Sequence, residues 1–403
     1  MFDTGNTGFM LVATSLVMLM TPGLAFFYGG LVGRRNVLTI MFQSFVSMGV
    51  TTIVWYLVGY SLCFSGDVGG VIGNLNHAFL LGINTTTPFG SAGIPLFVFI
   101  AYQMMFAIIT PALITGAFAN RVRFPAYLLF LVAWLILVYF PMVHMVWGGG
   151  ILQQWGVQDF AGGIVVHNIA GMAALASVIF VGKRLFPDKG PHSIPLVALG
   201  TGLLWFGWYG FNAGSELRVD AVTATAFLNT DIAASFAGVV WMAMAWIFEK
   251  KPKFLGLLTG AVAGLATITP AAGYVTPTSA VIIGCLAGIV CYFAISLRAK
   301  MNLDDALDVW GVHGVGGFLG IVCLGLWADA SVNSAGVNGL LLGNPAFFLK
   351  ELAAVALTSV YAFAVSYAML WIINKITPVK VTKQDEENGL DAALHGESAY
   401  EMI

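Results

Sequence analysis

The sequence predicts an all-α integral membrane protein of eleven transmembrane helices, and three observations predict it. Apolar residues make up 59% of the 403 and charged residues only 9%, where a soluble domain carries about 25% charged residues. Apolar windows long enough to cross a hydrocarbon core of about 30 Å recur along the whole chain. The basic residues collect on one side of the connections between those windows.

Taken in order, the windows fall at roughly 8–31, 38–64, 94–119, 125–145, 161–182, 194–213, 222–248, 254–270, 278–297, 309–328 and 347–374. The first lacks a basic leader, carries Asp3 ahead of it and runs into "RRN", so it reads as a mature helix and not as a cleaved signal. The eighth is the shortest. Residues 1–376 form one transmembrane unit, with pseudo-repeats at about 1–182 and 194–328 and a final helix at 347–376; residues 377–403 form a polar tail. Counting alternate connections puts 15 of the 17 Lys and Arg residues on one side, leaving Arg218 and Lys350 on the other. The positive-inside rule then places the N-terminus outside and the tail in the cytoplasm, as expected of a multi-pass protein of the cell (inner) membrane. Cys63, Cys285, Cys291 and Cys323 lie in spans without metal-ligand spacing and read as packing residues. Gly260/Gly264, Gly284/Gly288 and Gly316/Gly320 are small-xxx-small pairs that let helices approach closely.

Two spans carry a histidine each. His167 follows Asp159 by eight residues and precedes Gly171 by four; His313 follows Asp305 by eight and precedes Gly317 by four. These are the fifth and tenth windows, matching places in two groups of five. Five-span repeats must insert in opposite senses, an inverted repeat that sets a substrate path near the midplane. Ionisable residues inside spans are functional candidates by default. Two neutral imidazoles could bond each other and present a polar, uncharged strip in a dry pore. No third ligand stands near either histidine and HExxH is absent, so no metal is expected. His144 reads as a hydrogen-bonded core residue.

Aromatic residues gather at helix ends assigned to the outside. Tyr102 and Phe106 share a helix face, as do Trp208, Phe211 and Ser215, and Trp147 precedes three glycines. Each group alone fits a core or an interfacial belt; together they could form an aromatic cup for a small cation. On a helix, eight residues correspond to about 12 Å of rise, so Asp159 would not bond His167; it either caps the fifth span or lends negative charge to an entering cation. Asp231, inside the seventh span, reads as a structural, hydrogen-bonded carboxyl.

At these residues the chain resembles the ammonium transporter family (Amt/Mep/Rh), in its Amt branch. "PGLAFFYGGLVGRRN", "HMVWGGG", "DFAGGIVVH", "GWYGFNAGS", "ITPAAGYV", "DVWGVHGVGG" and "GLDAALHGESAY" are similar to family segments and occur in family order, from about residue 8 to 400. The resemblance implies the eleven-helix ammonium-transporter fold, a pore through each subunit and a homotrimer. It implies an outer cup of Trp147, Ser215 and Tyr102, a gate of Phe106 and Phe211 below it, Asp159 as the carboxylate supporting the outer site, and His167 and His313 as the pore's twin histidines. The tail would brace neighbouring subunits, and a PII-type signalling protein is the implied partner at the cytoplasmic mouth. Tyr102, where many relatives have Phe, and Glu216, Arg218 and Asp231 depart from the family pattern and put affinity or rate in question.

The expected function is capture of ammonium at the cup, deprotonation at the gate, and conduction of ammonia past the histidines, with a proton relay along the same strip. No enzymatic activity, cofactor or nucleic-acid partner is expected; the partners are ammonium or ammonia and the lipid bilayer. An ammonium sensor with the same site and little transport is the alternative. An intramembrane metalloenzyme would need bound zinc, and an Rh-type gas channel would not need a cation cup.

Overall fold

The structure is a computed structural model in which residues 1–400 are described. Eleven apolar helices account for the bundle: Thr4–Leu31, Val37–Phe64, Leu96–Ile114, Phe124–Trp155, Gly163–Val181, Ile194–Glu216, Ala221–Glu249, Phe254–Ile268, Pro277–Lys300, Trp310–Trp327 and Pro345–Ile376. Ten are long and apolar enough to cross a membrane. The eighth has only 15 residues, about 22 Å at 1.5 Å per residue. Its brevity has a physical reason. Every residue from Gly260 to Ile268 is buried, and the chain continues as buried turns through Gly273. Non-helical backbone at membrane depth is tolerated where protein encloses it and its polar groups find partners. Here the Asn229 amide donates to the carbonyls of Ala272 and Val275 at 2.9 and 2.8 Å.

Small residues set the helix contacts. A Cβ placed on Gly200 would lie 2.2 Å from the Phe27 amide nitrogen, locking the first helix against the sixth. Gly264 and Gly284 press on the Ala233 carbonyl from the eighth and ninth helices. The fifth and tenth helices meet most closely: a Cβ on Gly171 would stand 2.0 Å from the Gly314 nitrogen, and one on Gly317 would stand 2.7 Å from the Asn168 nitrogen. Dispersion and close backbone approach hold such contacts, because lipid offers no hydrophobic drive between spans.

The two histidine helices also share a local device. Each opens with a π-turn, at Gly163–Asn168 and at Trp310–Gly314. The widened turn leaves amides without intrahelical partners at the helix start, and a carboxylate takes them. Asp305 accepts from Val309 and Trp310 at 3.1 and 2.7 Å. Asp159 accepts from four successive amides, Gly162 to Val165, at 2.7–3.2 Å.

The tail lies along connections of its own chain. Asp391 caps the second helix through Leu38 and Thr39 at 3.0 and 2.8 Å. The Glu386 carboxylate receives the amides of Leu185 and Phe186, and the Val381 amide donates to the Arg121 carbonyl at 2.9 Å.

Candidate functional site

Three spaces follow one another through the bundle, the first two joined by the Phe106–Phe211 contact and the last two by shared wall residues. At the end that the distribution of basic residues assigns to the outside is a recess of about 240 Å³ whose walls include Phe99, Gln103, Phe106, Trp147, Phe160 and Ser215. Below it, Phe106 and Phe211 stack with ring centroids 4.2 Å apart. Beneath the stack is a constriction of only about 10 Å³, lined by His167, His313, Trp208, Phe211, Phe27 and Tyr28 among aliphatic side chains, with no carboxylate or cation in its wall. That is about the room one water-sized molecule needs. His313, Tyr28 and Phe27 then separate it from a vestibule of about 230 Å³ that Asp308, Arg184 and Asp188 also line.

The histidine rings are nearly parallel, 20° apart, with Nδ1 3.2 Å from Nδ1. A neutral imidazole carries one N–H and one bare nitrogen. An Nδ1–Nδ1 bond therefore requires opposite tautomers: one ring donates from Nδ1, and the other keeps its proton on Nε2. His167 is sandwiched against Trp208 and Phe211 at 5.4 and 5.9 Å, and its Nε2 is buried without a partner. Trp208 is itself fixed by its indole N–H donating to Thr269 at 2.9 Å. Each part traces to local sequence: Trp208 and Phe211 sit three apart on one helix face, and the Gly171–Gly314 crossing brings the two backbones together.

The outer residues separate into those that face the recess and those that support it. Trp147, Ser215 and Phe106 line it. Tyr102 does not. It is fully buried behind the recess, its hydroxyl donating toward the Gly210 and Phe211 carbonyls and standing 3.3 Å from Ser215 Oγ. Phe89, Phe99, Phe160 and Gln103 complete the wall instead. Asp159 lies off the recess as a capping group, while its own carbonyl accepts the Trp147 indole N–H at 2.8 Å. The fifth helix starts at Gly163, so the residues from 159 to 162 are not helical and the eight-residue helical spacing does not apply to them. Glu216 and Arg218 pair with each other at 2.9 Å, and Arg218 also reaches Asp220 at 2.8 Å, so one guanidinium is shared by two carboxyl groups. Asp231 accepts from Trp205 and Tyr209 at 3.2 and 2.7 Å. His144 is buried with both nitrogens engaged, to the Cys63 carbonyl and to Asp67. No group of three or more His, Cys, Asp or Glu side chains among the described residues is placed to hold a metal ion.

Sequence spacing missed Asp305, Gln103 and Asp308 as candidates. Asp305 was visible only as the counterpart of Asp159; nothing marked Gln103 or Asp308 before the helices were assembled.

A membrane-embedded helical bundle with a constricted, uncharged path through a single chain defines the class: a polytopic transport protein. The Ammonium Transporter Family model matches residues 8–400. The chain is 46% identical over 399 residues to the ammonium transporter of Bacillus subtilis, covering 98% of each. It is 45% identical to ammonium transporter Amt1 of Archaeoglobus fulgidus, covering 98% of this chain and 99% of that one. The crystal structure of Candida albicans Mep2 superposes with a TM-score of 0.88 at 34% identity, covering 95% of this chain and 88% of that one. A solved protein titled a sensor Amt protein gives 0.89 at 29% identity, covering 97% and 98%. The chain belongs to the ammonium transporter family, a family of transporters and channels and not of enzymes.

Proposed function

We propose that the chain takes up ammonium at the outer recess, transfers one of its protons near the Phe106–Phe211 rings to the histidine pair beneath them, and passes ammonia and that proton along His167 and His313 to the inner vestibule. The observation that carries this reading is the bonded histidine pair inside a constriction that no charged side chain lines. An intact cation there would meet no countercharge, at a cost of several kcal/mol. Ammonia needs only a donor and an acceptor, and opposite tautomers supply both. The same two rings offer a proton a path, since each can accept on one nitrogen and release from the other. Potassium has no proton to lose, so the constriction discriminates by chemistry where size cannot. At the recess, the faces of Trp147 and Phe106 attract a cation by about 0.5–2 kcal/mol, and Ser215 adds an acceptor.

The basic residues support an outer N-terminus and a cytoplasmic tail, in an inner membrane. A homotrimer and a PII-type partner at the cytoplasmic face follow from the family resemblance, as does the tail's bracing of a neighbour. Replacing both histidines with Leu should abolish saturable ammonium-driven current in reconstituted vesicles; undiminished current would refute their role. A sensor with the same site is the second reading, raised by the structural likeness to the sensor Amt protein. It predicts ammonium binding with little or no charge movement in the same vesicles.

A further inference from the structure

Glu351 stands near the start of the eleventh helix, away from the path, and conduction as described gives it no task. Its side chain is fully buried. Oε1 accepts the Gln158 backbone N–H at 2.6 Å, and Oε2 has no partner. Burying a carboxyl this far from water is costly unless the group is bonded, so its one bond identifies its task. That bond falls on the residue just before Asp159, whose carbonyl accepts the Trp147 indole N–H at 2.8 Å. The next amide, Phe160 N–H, is tied to the Pro270 carbonyl at 3.1 Å. The segment 158–160 is thus held from three sides: by the eleventh helix, by Trp147 and by the turn after the eighth helix.

We infer that Glu351 is a positioning residue: through Gln158 it fixes the backbone that presents the Asp159 carbonyl to Trp147, and so sets the indole in the wall of the outer recess. The inference rests on the transport reading for its consequence, a dependence of ammonium capture on a helix outside the path. Without the carboxylate, a buried N–H loses its acceptor and the segment can turn, and Trp147 turns with it.

The test uses full-length protein in liposomes, with current recorded against ammonium concentration for Glu351→Ala and Glu351→Gln. Loss of one buried acceptor should raise the half-saturating concentration of the alanine variant about fivefold or more, with maximal current per folded protein kept within about twofold. Glutamine keeps an acceptor oxygen in place and should restore half-saturation to within about twofold of wild type. In a Trp147→Leu background, Glu351→Ala should add no further change. Unaltered half-saturation in Glu351→Ala, or a full additional effect without the indole, would overturn the inference. A silent wild type would instead count against transport. In that case hydrogen exchange of the 156–163 backbone decides the positioning role: faster exchange in the alanine variant than in the glutamine variant supports it, and equal rates overturn it.

Discussion

Asp159 illustrates how a side chain can serve a site without facing it. Its two oxygens take four amides that the π-turn leaves open, and each orphaned buried amide costs about 1–3 kcal/mol. Asp159→Ala should therefore yield little folded protein, while Asp159→Asn, which keeps one acceptor oxygen, should fold and transport more slowly; equal recovery of both from detergent would refute the capping role. Asp308 makes a different prediction. It lies at the inner vestibule beside Arg298, and burial pushes its carboxyl up to about 7 against the pull of that guanidinium. The folded chain then holds this proton more tightly than the unfolded chain, whose carboxyl titrates near 3.9. Stability from this group is present at low pH and is lost as pH rises from about 4 to about 7. Melting midpoints of Asp308→Asn should gain on wild type as pH is raised from 5 to 8, and parallel curves would contradict the assignment.

At the scale of elements, helix periodicity made much of the path readable. Phe211 falls on the face of Trp208, and the paired Asp-His-Gly spacing singled out two spans of eleven. What spacing could not show was the result of assembly. Tyr102 shares a face with Phe106, yet the sixth helix comes so close that the tyrosine is sealed behind the recess. Gln103, on the neighbouring face, lines it. Nothing in the sequence marks Glu351, whose bond to the 158–160 segment spans 193 positions. The outer ladder of Pro88–Phe89 with Ile94–Pro95 carries no apolar periodicity and was equally silent. The crossing of the histidine helices depends on glycine for room. Gly171→Val should prevent recovery of monodisperse protein, since its Cβ would meet the Gly314 backbone at 2.0 Å. Gly202→Ala, with open space around it, should be neutral by the same assay, and tolerance of both would disprove the close crossing.

Across the whole molecule, the tail joins parts of the chain that the apolar helices leave separate. Asp391, Glu386 and the backbone near Val381 engage the connections at 35–39, 121–123 and 182–186. Asp391→Ala should leave the bundle folded but expose the tail, so that limited proteolysis cuts near residue 385 several times faster than in wild type; unchanged cleavage would mean that the cap contributes nothing. The Asp391 bonds link residues more than 350 positions apart. During synthesis, the tail is therefore made after every helix, and the amides of Leu38 and Thr39 wait for a carboxylate added at the far end of the chain. A chain cut short before residue 380 would leave the amides at 38, 39, 185 and 186 without these carboxylates, a defect that lies at the aqueous rim of the bundle and is open to proteases there.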